Sequence, residues 1–210
     1  MMMTHLKADL FICDDCGLVS SDILPDPSIY DKSYDIKYQR YARTAAGELL
    51  QNIRLATVLD GISEKGINCK ILDFGCGSGS FVRCHEDIKG FDINPYGSYC
   101  DVTSLLNGFE VVTFWDSLEH IQDPKKLIKG LKAEYVFIST PSIDDFIGEL
   151  TEFHHYYPGE HVHYFSAESL NKLMESCGYE KVSLHYREST IRTSGGDKNI
   201  LTMGFKRGSN

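Results

Sequence analysis

The stretch Ile71-Leu72-Asp73-Phe74-Gly75-Cys76-Gly77-Ser78-Gly79-Ser80-Phe81-Val82 constrains this chain more than any other. Apolar residues lead into an acid and glycines then recur at every second position, so a buried strand is expected to run into a loop that side chains would obstruct. Glycine alone has no Cβ to hold a ligand away from the backbone, and it adopts positive φ at no steric cost. A loop of this kind, opening into a helix at Ser80-Phe81-Val82, would present free N–H groups and the positive end of a helix dipole. Dinucleotide-binding folds also place glycines after their first strand, but with the spacing G-x-G-x-x-G. Here the spacing is Asp-x-Gly-x-Gly-x-Gly, with Asp73 inside the motif. An acid suits a cationic ligand better than a pyrophosphate.

Around this stretch the apolar pattern alternates between strand and helix in short units. Arg40 to Ile62 carries Ala45, Leu49, Ile53, Ala56 and Leu59 at helical spacing and ends at Gly61. Asp87-Ile88-Lys89-Gly90-Phe91-Asp92 reads as a second strand whose closing acid lies 19 residues beyond Asp73. Phe109 to Trp115 and Glu134 to Pro141 read as further strands, and between them Asp123-Pro124 starts a helix through Leu127, Ile128 and Leu131. Strands separated by helices imply an α/β fold with a mostly parallel sheet covered on both faces. Towards the end, Ser166 caps a helix running through Leu170, Leu173, Met174 and Cys177 to Gly178, without the full capping box. Lys181 to Arg187 and Asn199 to Lys206, around Gly195-Gly196-Asp197, form a C-terminal antiparallel hairpin.

Residues 1–40 are expected to be a unit of their own, ahead of a main domain at 41–210. Cys13-Asp14-Asp15-Cys16-Gly17 has the geometry of a metal-binding knuckle, but structural zinc takes four ligands and no second C-x-x-C follows. A metal-free turn is the preferred reading, the alternatives being a decayed ribbon or a site completed by histidines or a second subunit. The tyrosines at 30, 34, 38 and 41 suggest an ordered flap over the ligand.

The chain has 210 residues and a formal charge of −9, and no Lys or Arg cluster offsets that charge. Duplex nucleic acid is therefore a poor partner. No run of eighteen apolar residues appears and the N-terminus lacks the apolar core of a signal peptide, so a cytoplasmic protein without membrane association is expected. Seven scattered cysteines do not form a disulfide framework and should be reduced thiols. Oligomeric state is not readable.

The Asp73–Gly79 motif resembles the first motif of the class I S-adenosylmethionine (SAM) dependent methyltransferases, and the resemblance extends over about Leu55 to Phe205. It implies their Rossmann-like sheet, with the last strand inserted between the two before it, and SAM as cofactor. Gly75, Gly77 and Gly79 would form the floor under the methionine part, with Asp73 ordering the loop. Asp92, followed by Ile93, would accept hydrogen bonds from the ribose hydroxyls. Asp101 and Val102 would meet the adenine, and Trp115 would line the gap between cofactor and substrate.

Two clusters bear on the chemistry. Asp116-x-x-Glu119-His120 is similar to the Glu-x-x-Glu-His that holds a divalent ion in some O-methyltransferases, although a metal-free reading is preferred. Glu152 to Phe165 contains four histidines and four tyrosine or phenylalanine rings besides Phe153, where an active-site lid would sit. Histidine is the usual proton acceptor near neutral pH. His161 is the candidate base, with Glu160 or His120 as its orienter, and only one of His161 and His163 is expected to face the cofactor. The resulting expectation is methyl transfer to an oxygen or nitrogen of a small polar metabolite. The alternatives are a metal-assisted RNA 2′-O-methyltransferase and a SAM-binding protein without catalysis.

Overall fold

The protein, seen in a computed structural model, is described for residues 8–62, 69–93, 108–144, 146, 149–192 and 199–208. Its centre is a six-stranded sheet made of β3 (Ile71–Phe74), β4 (Ile88–Phe91), β5 (Val111–Trp115), β6 (Tyr135–Pro141), β8 (Tyr179–His185) and β9 (Ile200–Arg207), in the order β4-β3-β5-β6-β9-β8. The first four are parallel, and β9 runs antiparallel between β6 and β8, as the resemblance implied.

Every residue of β5 and β6 is buried because the sheet is covered on both faces. Alternation along the strands sorts the apolar side chains between the two covers. Val112, Phe114, Val136 and Ile138 pack with Ile128 of α3 (Pro124–Gly130) and with Leu170, Leu173 and Met174 of α4 (Ala167–Glu175). Val111, Tyr135 and Phe137 pack on the other face with Val58 of α2 (Ala45–Gly61). Each fully buried side chain of this size contributes about 1.5–3 kcal/mol relative to an exposed one.

The helix boundaries follow local chemistry. Asp123 caps α3 by accepting from the Lys126 N–H, with Pro124 at the first helical position. Ser166 caps α4, and the Ser169 hydroxyl returns a bond to the Ser166 N–H, so the box is completed by a serine where a glutamate was sought. The helix expected from Arg40 is divided at Thr44, which caps α2, and the tyrosine-rich segment ahead of it forms α1 (Lys32–Ala42), capped by Asp31.

One expected element is absent. After the glycine turn there is only a 3-10 turn at Val82–Cys84, not a helix. Few residues separate Gly79 from β4 at Ile88, too short a span for a helix to form and return, so no helix dipole acts at this loop.

The N-terminal segment is tied to the lid. β1 (Leu10–Ile12) pairs with β2 (Val19–Ser21), and β2 pairs with β7 (His163–Tyr164). Cys13 and Cys16 lie in the turn between β1 and β2, closed by the Gly17 N–H donating to the Cys13 carbonyl at 2.8 Å. The Gly195-Gly196-Asp197 connection lies outside the described residues, as do Asp101 and Val102.

The Phe137 ring is wedged against α2 and against Gly204, its partner on β9. A Cβ on Gly61 would lie 2.5 Å from Phe137 Cζ, and Phe137 is fully buried. Gly61→Ala is therefore expected to destabilise by about 1–3 kcal/mol through overpacking, against the gain of about 1 kcal/mol that helix propensity alone implies. Thermal melting of Gly61→Ala, and partial recovery in Gly61→Ala with Phe137→Leu, checks this. A melting temperature above that of the parent would contradict it.

Candidate functional site

The carboxyl ends of β3, β4 and β5 open onto a cavity of about 680 Å³. Ligands of open parallel sheets bind there, where the strand order reverses on either side of the first strand. The glycine turn forms the floor. Gly75, Gly77 and Gly79 have φ of 79°, 49° and 72°, and a Cβ on Gly75 would lie 2.5 Å from Ser117 Cβ. Gly75 and Gly77 line the cavity, whereas Gly79 sits at the far end of the turn and does not.

The turn's own amides are used in holding its shape, contrary to the expectation of free donors. Gly75 and Cys76 both donate to the Phe91 carbonyl, at 2.8 and 3.0 Å, and Gly79 donates to the Cys76 carbonyl. The Gly77 N–H donates to Asp92 Oδ2 at 2.6 Å. Asp92, which follows β4, thus fastens the turn and also lines the cavity, with Ile93 exposed at the mouth.

Asp73 does something other than order the loop. Its carboxyl is buried within the sheet and accepts from Thr113 Oγ1 at 2.9 Å rather than from the turn. Burial pushes its pKa up to about 7, outweighing the Thr113 bond. Trp115 lines the cavity, with the Phe81 ring edge-on and the Arg54 guanidinium 5.2 Å from its ring.

Beyond Trp115 the backbone turns at Asp116, which has φ 51°. Arg54 Nη2 donates to its Oδ2 at 2.7 Å and Arg192 Nη1 to its Oδ1 at 2.6 Å. Arg54 also forms a two-pronged pair with Glu188, at 3.0 and 2.9 Å. Burial opposes ionisation of Asp116, but Arg192 and Arg54 outweigh it and hold the carboxyl below the usual range. Asp116 is thereby taken out of the Asp116-x-x-Glu119-His120 grouping suggested by spacing. Arg54, Glu188 and Arg192 were not singled out from the sequence. The available signal was Arg54 itself, set midway between Leu50 and Val58 on the buried stripe of α2.

The opposite wall is made of Glu119, His120 and His161. Glu119 is only 1% exposed and neither carboxylate oxygen has a hydrogen-bond partner. Burial raises its pKa to about 7; the nearby Thr140 hydroxyl, which would favour the charged form, is not in bonding geometry. His120 Nδ1 lies 2.7 Å from the Glu160 carbonyl, and His161 Nδ1 lies 2.9 Å from the His155 carbonyl. One donor atom each from Glu119, His120 and His161 fall within 4.8 Å of one another, the only such group of three among the described residues.

The lid supplies these rings much as expected, with changes in role. His161 lines the cavity while His163 bonds Ser20 and the Gln122 carbonyl away from it. Burial pulls the His161 pKa down to about 3, which makes it a weak proton acceptor. Neither Glu160's carboxylate nor His120 orients it, because the His155 carbonyl does so. The Glu160 carboxylate instead accepts from the Tyr34 hydroxyl at 3.2 Å, and the Tyr30 hydroxyl lies 3.1 Å from His120 Nδ1. The tyrosine flap of α1 therefore closes on the lid.

A sign can be read from Asp73. Its folded pKa lies above its unfolded value, so between about pH 4 and 7 the folded chain keeps a proton that the unfolded chain has released. Stability from this group is complete below that window and is lost as pH rises through it. Asp73→Asn is thus expected to gain in melting temperature relative to the parent from about pH 4 upward, levelling near pH 7. A constant difference across that range would contradict a protonated Asp73.

A family model described as a methyltransferase domain matches residues 38–184. No curated protein sequence matches significantly. Among solved structures, magnesium protoporphyrin IX methyltransferase from Synechocystis PCC 6803 with bound S-adenosylhomocysteine (SAH) is similar, with 14% identity and a TM-score of 0.61. That match covers 87% of this chain and 100% of that one. A SAM-dependent methyltransferase from Archaeoglobus fulgidus is similar with 16% identity and a TM-score of 0.57, over 84% of this chain and 100% of that one. One from Thermotoga maritima has 16% identity and a TM-score of 0.57, over 85% and 98%.

Proposed function

The chain belongs to the SAM-dependent methyltransferase-domain family, and on that footing we propose that it transfers a methyl group from SAM to an oxygen or nitrogen of a small polar metabolite. The observation that carries this reading is the glycine turn, fastened by Asp92 and opening on the same cavity as the Glu119–His161 wall. The residues present fit the cofactor. Gly75 and Gly77 leave the floor clear of side chains, Asp92 stands at the rim for the ribose, and Ile93 and Trp115 offer apolar surface. When bound, SAM supplies a methyl group made electrophilic by the sulfonium charge.

The chain's own part is alignment and exclusion of water. The turn holds the donor end, and the wall of Glu119, His120 and His161 receives the acceptor. The flap residues Tyr30 and Tyr34, bonded to that wall and to Glu160, cover it. A cavity of about 680 Å³ leaves room for a small acceptor beside a nucleoside, and a net charge of −9 disfavours a polyanionic one. Among the described residues no helix is long and apolar enough to cross a membrane.

Calorimetry with SAH on the parent chain and on Asp92→Ala tests the cofactor site. Removing a charge-assisted bond worth about 1.5–3 kcal/mol is expected to weaken SAH binding by about tenfold or more. Equal affinity in the two proteins would overturn the role given to Asp92. Formation of SAH from SAM with hydroxylated or amino acceptors separates an enzyme from a protein that only retains the cofactor.

A further inference from the structure

The turn between β1 and β2 carries two thiols that the proposed methyl transfer does not use. Cys13 is exposed and Cys16 half-buried, and both are free. The Cys13 N–H donates to the Leu18 carbonyl at 2.9 Å and the Gly17 N–H donates to the Cys13 carbonyl at 2.8 Å, so the backbone doubles back between the two strands. Residues three apart in a tight turn have Cα atoms less than about 7 Å apart, and a disulfide closes over about 4.4–6.8 Å. The two sulfur atoms are near enough to bond one another. Lys172 of α4 fixes the turn from outside, its Nζ donating to the Asp15 carbonyl at 3.1 Å.

The two thiols are unequal. The Cys16 amide, the Cys16 thiol and the Asp15 amide face Cys13 and hold its pKa below the ordinary thiol value, whereas burial pushes that of Cys16 up. An accessible thiol that ionises readily, next to a second that resolves it, is the arrangement of redox-sensitive cysteines. The other described cysteines lack it, since Cys69, Cys76 and Cys177 are buried and burial raises the pKa of Cys84. The turn is also tied to the lid. β2 leaves it and pairs with β7, the Ser21 N–H donates to the Val162 carbonyl at 2.8 Å, and the Asp26 N–H donates to the Gly159 carbonyl at 2.8 Å. Lid residues from Gly159 to Tyr164 are thus held by the segment that leaves the two thiols.

We propose that Cys13 and Cys16 are a modification site, a dithiol oxidised by a low-molecular-weight disulfide, and that its closure stiffens the hairpin that carries the lid. The Cys13 thiolate attacks one sulfur of the oxidant, forming a mixed disulfide and expelling one thiolate. Cys16, its proton released to solvent, then attacks the Cys13 sulfur, forms the Cys13–Cys16 bond and expels the second thiolate. Two electrons pass from the protein pair to the oxidant, and excess small thiol reverses both steps. The closed bond removes conformations that the opened hairpin tip would otherwise explore, which for so short a loop amounts to roughly tenfold in the opening equilibrium.

This site stands independently of the methyl-transfer reading. The full chain is reduced, freed of reductant under argon and exposed to oxidised glutathione, and its cysteines are mapped by alkylation and peptide mass without further reduction. The expected result is a Cys13–Cys16 disulfide formed about tenfold or more faster than any adduct at Cys84. In Cys16→Ser glutathione should accumulate on Cys13, and in Cys13→Ser the adduct on Cys16 should form about tenfold more slowly than that. Amide hydrogen exchange at Ser21 and along β1 and β2 should be about tenfold slower in the oxidised chain than in the reduced one. Reaction of Cys84 as fast as Cys13, or glutathione left on Cys13 of the parent without closure onto Cys16, overturns the dithiol. Equal exchange in the two states overturns its hold on the hairpin and the lid. Stoichiometric zinc in the purified chain that protects both thiols until a chelator removes it also overturns the proposal.

Discussion

The close approach of Gly75 to Ser117 governs the arrangement at the edge of the sheet. With no Cβ to intervene, the backbone after β3 folds over the start of the segment after β5, and Ser117 Oγ donates to the Phe74 carbonyl at 2.7 Å. The same turn is drawn across to β4 by two amides sharing the Phe91 carbonyl and by the Asp92 carboxylate. Three strands are thereby locked together at their carboxyl ends, which is what makes a floor and a rim rather than three separate loops. A side chain at Gly75 would meet both the positive φ and the Ser117 contact, each unfavourable by more than about 1 kcal/mol.

Charge then divides the cavity. On one side Arg54, Arg192, Asp116 and Glu188 satisfy each other, and a buried pair of this kind costs about 3–5 kcal/mol to break from one side. That network is self-contained and holds the chain after β5 in a conformation that few non-glycine residues adopt. On the other side Glu119 has no such partner, and burial pulls down the pKa of the neighbouring His161 ring against the opposing pull of its carbonyl contact. One half of the pocket is thus electrostatically closed, and the other holds a buried carboxyl group without a hydrogen-bond partner.

Much of this was legible in residue order. The apolar runs of β5 and β6, buried along their whole length, Pro124 and Ser166 as helix starts, and the glycine spacing all act locally or through one strand, so their consequences could be read directly. The gathering of Gly75, Gly77, Asp92 and Trp115 around one cavity follows from their places at strand ends, and His161 reaches the same cavity from the lid. What could not be read depended on contacts across the fold. The missing helix after Gly79 reflects how soon β4 begins, and the saturation of Asp116 needs Arg54 and Arg192 from distant segments. The pairing of β2 with β7, which joins the N-terminal hairpin to the lid, has no signal in either strand alone. The resemblance gave Asp73 the role of ordering the loop because it precedes the glycines, but the strand points it at Thr113.

The most direct test of the central claim is a crystal structure of this chain grown with SAH. The account predicts the nucleoside lying across Gly75 and Gly77, its ribose hydroxyls within hydrogen-bond distance of Asp92, and its sulfur facing the wall of Glu119, His120 and His161. SAH bound elsewhere, or a ribose out of reach of Asp92, would contradict it.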